Sequence, residues 1–114
     1  MAEITIYHNP RCGKSRQTLE LLRSRGLDPR VVEYLKVPPD ENTLRDLLVR
    51  LGMSPEELVR RKEPLYAELK LAGANGEALL AAMVTHPILI ERPIVVRGRQ
   101  ARLGRPPEKV LEIL

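Results

Sequence analysis

The sequence predicts an α/β domain in which helices pack against a mixed sheet of four strands. Three observations carry this prediction. Strand, helix and strand follow one another near the start, and two strands and a helix form the last part of the sequence. The third is size, since 114 residues with 43% hydrophobic content can build one core without disulfides or a structural metal.

The first part of the chain reads as a βαβ unit. A β-branched strand is predicted at Ile4–Tyr7, and a turn follows it. A helix is expected to begin near Cys12 or Gly13 and to end at Gly26, a residue type common just past helix ends. Val31–Tyr34 supplies the second strand. Two strands joined through a helix of about a dozen residues are typical of a parallel pair.

The middle of the chain is helical in pattern. Four leucines recur at the spacing of one helix face, between a break at Pro38-Pro39-Asp40 and Gly52. The break also offers a cap for this helix. Ser54 and Glu57 have the spacing of a capping box, and Asn75 can cap a further helix. The four leucines are Leu44, Leu47, Leu48 and Leu51.

The last third changes from helix to strand. Ile94–Val96 and Ala101–Leu103 are predicted strands, joined by a hairpin turn at Arg97-Gly98-Arg99. A closing helix is expected from Pro106. Its predicted inward residues are Val110, Leu111 and Leu114.

This order of elements is that of a thioredoxin-like or glutaredoxin-like fold with a mixed four-stranded sheet. We expect one domain over residues 1–114, with a helical insertion at about residues 40–85. The sequence contains no internal repeat and no linker long enough to divide domains.

Composition argues against several functions. Phe and Trp are absent and three Tyr occur, so the chain lacks the aromatic rings on which single-stranded nucleic acid stacks. No segment approaches the roughly 20 apolar residues of a membrane span, and no apolar signal sequence opens the chain. One cysteine rules out an internal disulfide and indicates a reducing compartment. We therefore expect a cytoplasmic monomer that binds neither nucleic acid nor membrane.

Charge is the second compositional signal. The net charge is +4, and Arg outnumbers Lys heavily. A surplus of arginine fits anion recognition by forked guanidinium groups, and it fits a coding bias towards arginine equally well.

Cys12 is the candidate nucleophile. It follows the first strand and opens the first helix, where unpaired N–H groups and a partial positive charge favour a thiolate and an oxyanion bound beside it. Basic neighbours add to this effect. The alternative, a small buried cysteine, is disfavoured by the polar turn in which Cys12 lies. These neighbours are His8, Arg11, Lys14 and Arg16.

Ser15 stands where a dithiol motif has its second cysteine. It forms no disulfide, so oxidised Cys12 must react with a thiol from outside the chain. Its hydroxyl either donates a hydrogen bond to the thiolate or satisfies nearby backbone groups. The residue pattern leaves both roles open.

Residues 7–16, Tyr-His-Asn-Pro-Arg-Cys-Gly-Lys-Ser-Arg, resemble the active-site loop of the glutaredoxin-coupled arsenate reductases. Similar stretches recur over almost the whole chain. They are Tyr34-Leu35 with Pro38-Pro39, Leu58–Arg61 with Glu63 and Tyr66, His86–Val96, and Arg105-Pro106 with Val110–Leu114.

The resemblance implies reduction of arsenate to arsenite, as part of arsenic detoxification. It implies Cys12 as the single catalytic residue and Arg60, Arg92 and Arg105 as the arsenate-binding residues. Glutathione is then the co-substrate and glutaredoxin the partner that removes it, with no bound cofactor. Guanidinium forks suit a tetrahedral dianion, because paired charge-assisted hydrogen bonds match its oxygens.

The residues themselves support these roles unequally. By pattern alone Arg60, at the end of a charged helix, fits a solvated position, and Arg105 is unremarkable. Arg92 lies between two apolar runs, which favours a function. Pro93 resembles the cis-proline of thioredoxin-like folds, so we expect a cis bond close to Cys12.

Two histidines complete the candidate set. His8 either tunes Cys12 or caps the turn. His8 and His86 lack a ligand-like spacing with Cys12, so no metal site is expected.

Two other functions share this fold. One is a redox-responsive regulator that binds RNA polymerase, which typically carries the second cysteine that Ser15 replaces. The other is a generic thiol oxidoreductase.

Overall fold

The computed structural model describes residues 3–114, and its sheet is mixed. The order is β2-β1-β3-β4, with β1 and β2 parallel and the other neighbours antiparallel. This confirms the predicted class: a βαβ unit supplies two strands and a terminal hairpin supplies two. The strands are β1 (Ile4–His8), β2 (Arg30–Glu33), β3 (Ile94–Arg97) and β4 (Gln100–Leu103).

The chain divides into two compact units, of which residues 3–37 and 92–114 form the first. Helix α1, Gly13–Ser24, connects β1 and β2 and ends as predicted before Gly26, whose φ is +76°. The core of this unit takes alternate residues of β1 together with residues of α1, β3 and the closing helix. Its buried members are Ile4, Ile6, Leu22, Val95, Val110 and Ile113.

The closing segment, Pro107–Ile113, is a 3₁₀-helix. The predicted inward set, Val110, Leu111 and Leu114, assumed the period of an α-helix and is wrong in part. A 3₁₀-helix has three residues per turn, so one face repeats at every third position. The buried residues are accordingly Pro107, Val110 and Ile113.

Residues 38–91 form the second unit. Caps act as predicted: the side chains of Asp40 and Asn75 accept hydrogen bonds from backbone N–H groups, and Ser54 and Glu57 form a capping box. The α-helices are α2 (Glu41–Leu51), α3 (Pro55–Leu58), α4 (Pro64–Glu68) and α5 (Gly76–Thr85), followed by a 3₁₀ turn at Pro87–Leu89. The unit extends beyond the predicted insertion at about 40–85, and the single-domain organisation stays a prediction.

Helix α4 was not predicted, because its five residues bury no side chain and so show no periodic pattern. None of the helices between residues 3 and 114 is both long enough and apolar enough to cross a membrane.

Candidate active site

Cys12 is the N-cap residue of α1. Its N–H donates to the Asn9 carbonyl at 3.0 Å, and its own carbonyl accepts from the Arg16 N–H at 3.0 Å. The side chain is half-buried. The side chain makes no capping hydrogen bond. Cys12 nevertheless lies at the start of α1, the end of a helix that carries unpaired N–H groups and a partial positive charge. The predicted position of Cys12 at the start of the first helix is confirmed.

Ser15 is fully buried and joins the active-site turn to the helix. Its Oγ lies 2.6 Å from His8 Nδ1 and accepts from the Asn9 N–H at 3.0 Å. Within residues 3–114 the hydroxyl therefore serves His8 and the backbone, not the Cys12 sulfur. Of its two proposed roles the structure shows the second, and a network of three buried residues fixes the turn that presents Cys12.

His8 is buried, and this burial lowers the pKa of its ring below the ordinary 6.5. Glu33 acts in the opposite direction, while Arg23 and Arg16 add to the lowering. The ring is therefore neutral near pH 7. We assign Nδ1 as the acceptor of the Ser15 hydroxyl proton, because Ser15 is fully buried and Nδ1 lies 2.6 Å from its Oγ. The ring proton then resides on Nε2.

We expect the free energy of unfolding to depend on pH through His8. Since the native pKa is lowered, the unfolded chain binds more protons below pH 6.5, and stability falls as the pH drops from 6.5 towards the native pKa. Urea unfolding between pH 7.5 and about pH 5 measures this slope. His8→Gln should reduce it, whereas His86→Gln, which keeps His8, should retain it. An equal slope in both variants would contradict the assignment.

Arg92 and Arg105 lie together in the first unit. The Arg92 side chain is only 6% exposed, and Arg105 Nη1 donates to the Arg92 carbonyl at 3.3 Å. The Arg92–Pro93 peptide bond is cis, as predicted, and so is Arg105–Pro106, which was not predicted. Two of the three predicted arginines are thus joined by a hydrogen bond.

Gly104 holds this arginine segment against α1, and sequence reasoning missed it. A Cβ at this position would lie 2.6 Å from Thr18 Oγ1 and 2.8 Å from Pro93 Cγ. Its N–H donates to the Pro93 carbonyl at 2.9 Å. Pro93 therefore packs near Thr18, on the helix that Cys12 caps. Its closeness to Cys12 itself stays a prediction.

Gly104→Ala should destabilise the protein by about 1–3 kcal/mol, the usual cost of overpacking. Thr18 has little freedom to give way, because its Oγ1 donates to the Lys14 carbonyl at 2.8 Å. The matched control is Gly13→Ala, whose added Cβ meets nothing closer than an Arg16 nitrogen at 3.9 Å. Denaturant midpoints compare the two. A neutral Gly104→Ala would show that the segment is loosely held.

Arg60 belongs to the second unit and follows α3. Its N–H donates to the Leu89 carbonyl at 2.7 Å, next to a bridge between Val59 and Ile90. The residue is half-buried, whereas Arg61 and Lys62 are exposed. The predicted position at the end of a helix is wrong, because α3 ends at Leu58 before the chain turns extended. Its role in anion binding stays a prediction.

No group of three or more His, Cys, Asp or Glu side chains within residues 3–114 is placed to hold a metal ion.

The fold and the site define a thioredoxin-like protein whose candidate reactive group is a single helix-capping thiol. The model of the ArsC family matches residues 7–113. An arsenate reductase from Neisseria meningitidis is 47% identical over 117 residues, covering all of both chains. The uncharacterized protein YfgD of Escherichia coli is 59% identical over 115 residues, covering 98% of this chain and 97% of that one.

Among solved structures, an arsenate reductase from Vibrio cholerae superposes with a TM-score of 0.95 at 51% identity. The match covers 99% of this chain and 98% of the other. The chain belongs to the ArsC family.

Proposed function

We propose that this protein reduces arsenate to arsenite with Cys12 as its only nucleophile, using glutathione and glutaredoxin as the source of electrons. The observation that carries the proposal is the position of Cys12 as the N-cap residue of α1, because the unpaired N–H groups at the start of a helix bind oxyanions. Relatives that are named arsenate reductases match over the whole chain, which supports arsenate as the anion.

In this proposal Arg92 and Arg105 bind the anion, and their guanidinium groups offer forked donors to arsenate oxygens. The hydrogen bond from Arg105 Nη1 to the Arg92 carbonyl supports the proposal, because it brings the two residues together. Charge neutralisation there lets a negative sulfur approach a dianion.

Arg60 is the third arsenate-binding residue of this proposal, on the strength of the family resemblance. Arg60→Ala should lower arsenate reduction roughly tenfold, since one hydrogen bond to a charged group is lost. Arg61→Ala, its exposed neighbour, is the matched control and should be nearly silent. Equal activity of the two variants would remove Arg60 from the site.

The chemistry proceeds through thiols alone. The Cys12 thiolate attacks arsenic and displaces one oxygen as water, so that an S–As bond replaces an As–O bond while arsenic stays pentavalent. Glutathione adds to arsenic in the same way, with loss of a second water. The glutaredoxin thiolate then attacks the glutathione sulfur and forms a mixed disulfide. The electron pair of the broken S–As bond stays on arsenic, which becomes trivalent.

Water finally hydrolyses the remaining S–As bond, which releases arsenite and restores Cys12. Both electrons come from the two outside thiols, so the cycle needs no bound cofactor or metal. Because Ser15 is a buried hydroxyl engaged by His8 and Asn9, the second thiol must be external. We place this chemistry in the cytoplasm, where glutathione keeps thiols reduced.

The test measures arsenite formation with glutathione and glutaredoxin present, and with each omitted in turn. We expect turnover with both and little turnover when either is missing. Full turnover without glutaredoxin would favour a generic thiol oxidoreductase. Absence of arsenite under all conditions, together with binding to RNA polymerase, would favour the regulator.

A further inference from the structure

A cavity of about 350 Å³ lies beside the turn that presents Cys12. One wall is formed by residues 8–11, and the other by Glu33, Leu35 and Lys36 after strand β2. We call it the β1–β2 groove. Its size falls within the range of small-molecule sites, roughly 300–1,000 Å³.

The charged groups of the groove are mixed in sign. Arg11 and Lys36 contribute two exposed cations, and Glu33 contributes one carboxylate, whose Oε1 lies 3.6 Å from Lys36 Nζ. Leu35 adds an apolar surface and is 42% exposed. A ligand matching this pattern carries two negative groups, one positive group and an apolar portion.

His8, which lines the groove, adds a hydrogen-bond donor. His8 pairs with Glu33 across the β1–β2 ladder, and its Nδ1 is held by the Ser15 hydroxyl. With Nδ1 engaged, Nε2–H is the ring group left to meet a ligand. A neutral imidazole donor suits a peptide carbonyl or a carboxylate.

The groove adjoins the reacting sulfur through the chain itself. The Cys12 N–H donates to the Asn9 carbonyl, so residues 9–12 form one tight turn. Arg11 precedes Cys12, and adjacent Cα atoms are about 3.8 Å apart. The lining of the groove thus ends one residue before Cys12 in the chain.

We propose that the β1–β2 groove binds the thiol co-substrate, a small peptide-like thiol with two carboxylates and one ammonium group. Glutathione has this set of charges. The inference rests on the proposed function, and it adds the location and the recognition chemistry of the electron donor. Arg11 and Lys36 receive the carboxylates, Glu33 receives the ammonium, and Leu35 contacts the aliphatic portion.

Arsenate itself fits the groove poorly. A tetrahedral dianion meets the Glu33 carboxylate at close range, and like charges repel. The same carboxylate is favourable for a zwitterion. The mixed charges of this groove thus favour the zwitterionic thiol co-substrate. Arg92 and Arg105 are the residues proposed to bind arsenate.

The direct test titrates the ¹⁵N-labelled full chain with S-methylglutathione, which keeps all three charges and cannot form a disulfide. Backbone amide shifts are expected in residues 8–11 and 33–36. Shifts confined to other segments, or none at millimolar concentration, would overturn the proposal. Shifts in the groove with reduced glutaredoxin but not with S-methylglutathione would also overturn it, in favour of a protein partner.

Charge variants test which group binds what. Lys36→Gln and Arg11→Gln should each weaken binding of S-methylglutathione roughly two- to fivefold, as is typical of solvent-exposed pairs. Glu33→Gln should abolish the preference for the free amine over N-acetyl-S-methylglutathione. The matched controls, Arg25→Gln and Glu20→Gln, alter exposed α1 or post-α1 positions outside the groove and should bind as wild type. Equal losses in variants and controls would overturn the assignment.

The binding experiment with S-methylglutathione does not involve arsenate, so it tests the groove separately from the proposed function. If S-methylglutathione binds in the groove but no arsenite is formed, the proposed function fails and the groove stands. If arsenite is formed while the KM for glutathione is unchanged in Lys36→Gln and Arg11→Gln, the groove assignment fails and the function stands.

Discussion

Cys12→Ser is expected to abolish arsenate reduction, with a fall of roughly a thousandfold or more. A serine hydroxyl stays protonated at neutral pH and is too weak a nucleophile to displace oxygen from arsenic. Arsenite formation in the coupled assay measures the loss. The free energy of unfolding should stay the same or rise. Cys12 is an N-cap residue, and serine is among the preferred N-cap residues.

Loss of activity without loss of stability would show that Cys12 has a chemical role and not only a structural one. The urea midpoint of Cys12→Ser should equal or exceed that of wild type while activity disappears. A variant that stays active would rule out Cys12 as the nucleophile. A variant that loses activity together with its fold would leave the capping thiol as a packing residue.

Arg92→Ala should lower arsenate reduction by roughly ten- to a hundredfold. Losing a hydrogen bond to a charged group costs about 1.5–3 kcal/mol, and each 1.36 kcal/mol is about tenfold in rate. Arg92→Lys should recover little, because an ammonium is a point charge and does not replace a forked donor. Initial rates at saturating glutathione give the ratio.

The control for Arg92 is Arg97→Ala, at the end of β3 beside the hairpin turn. Arg97 is half-exposed, so its removal should leave both activity and folding nearly unchanged. Because Arg92 is buried, circular dichroism of each variant must show that the fold persists before rates are compared. Equal activity of Arg92→Ala and Arg97→Ala would place the oxyanion site elsewhere.

The elements that the sequence predicted well are those with local signals. Caps at Asp40, Ser54 and Asn75 depend on side chains that bond to backbone three residues away, and these bonds are present. The hairpin before β4 likewise depends on Gly98, whose φ is +61°. Such features depend on a few neighbouring residues, so they can be predicted from a single sequence.

Features that depend on distant packing could not be predicted in this way. Gly104 matters because Thr18 and Pro93 approach it, and no local pattern marks that contact. Of the candidate site, Cys12 and the cis bond at Pro93 were predictable from motif and resemblance, while the engagement of Ser15 by His8 required the fold.

The order of strands has a consequence for how this chain is made. Strand β1 pairs with β2 on one side and with β3 on the other, and β3 begins at Ile94. During synthesis the N-terminal βαβ half therefore carries an open, β-branched strand edge until the ribosome has produced most of the chain. Open edges invite pairing with other nascent chains, and distant pairings form slowly. Translation interrupted after Glu91 should thus yield aggregation-prone fragments. The amount of chaperone bound to the nascent chain should fall sharply once the hairpin emerges from the ribosome.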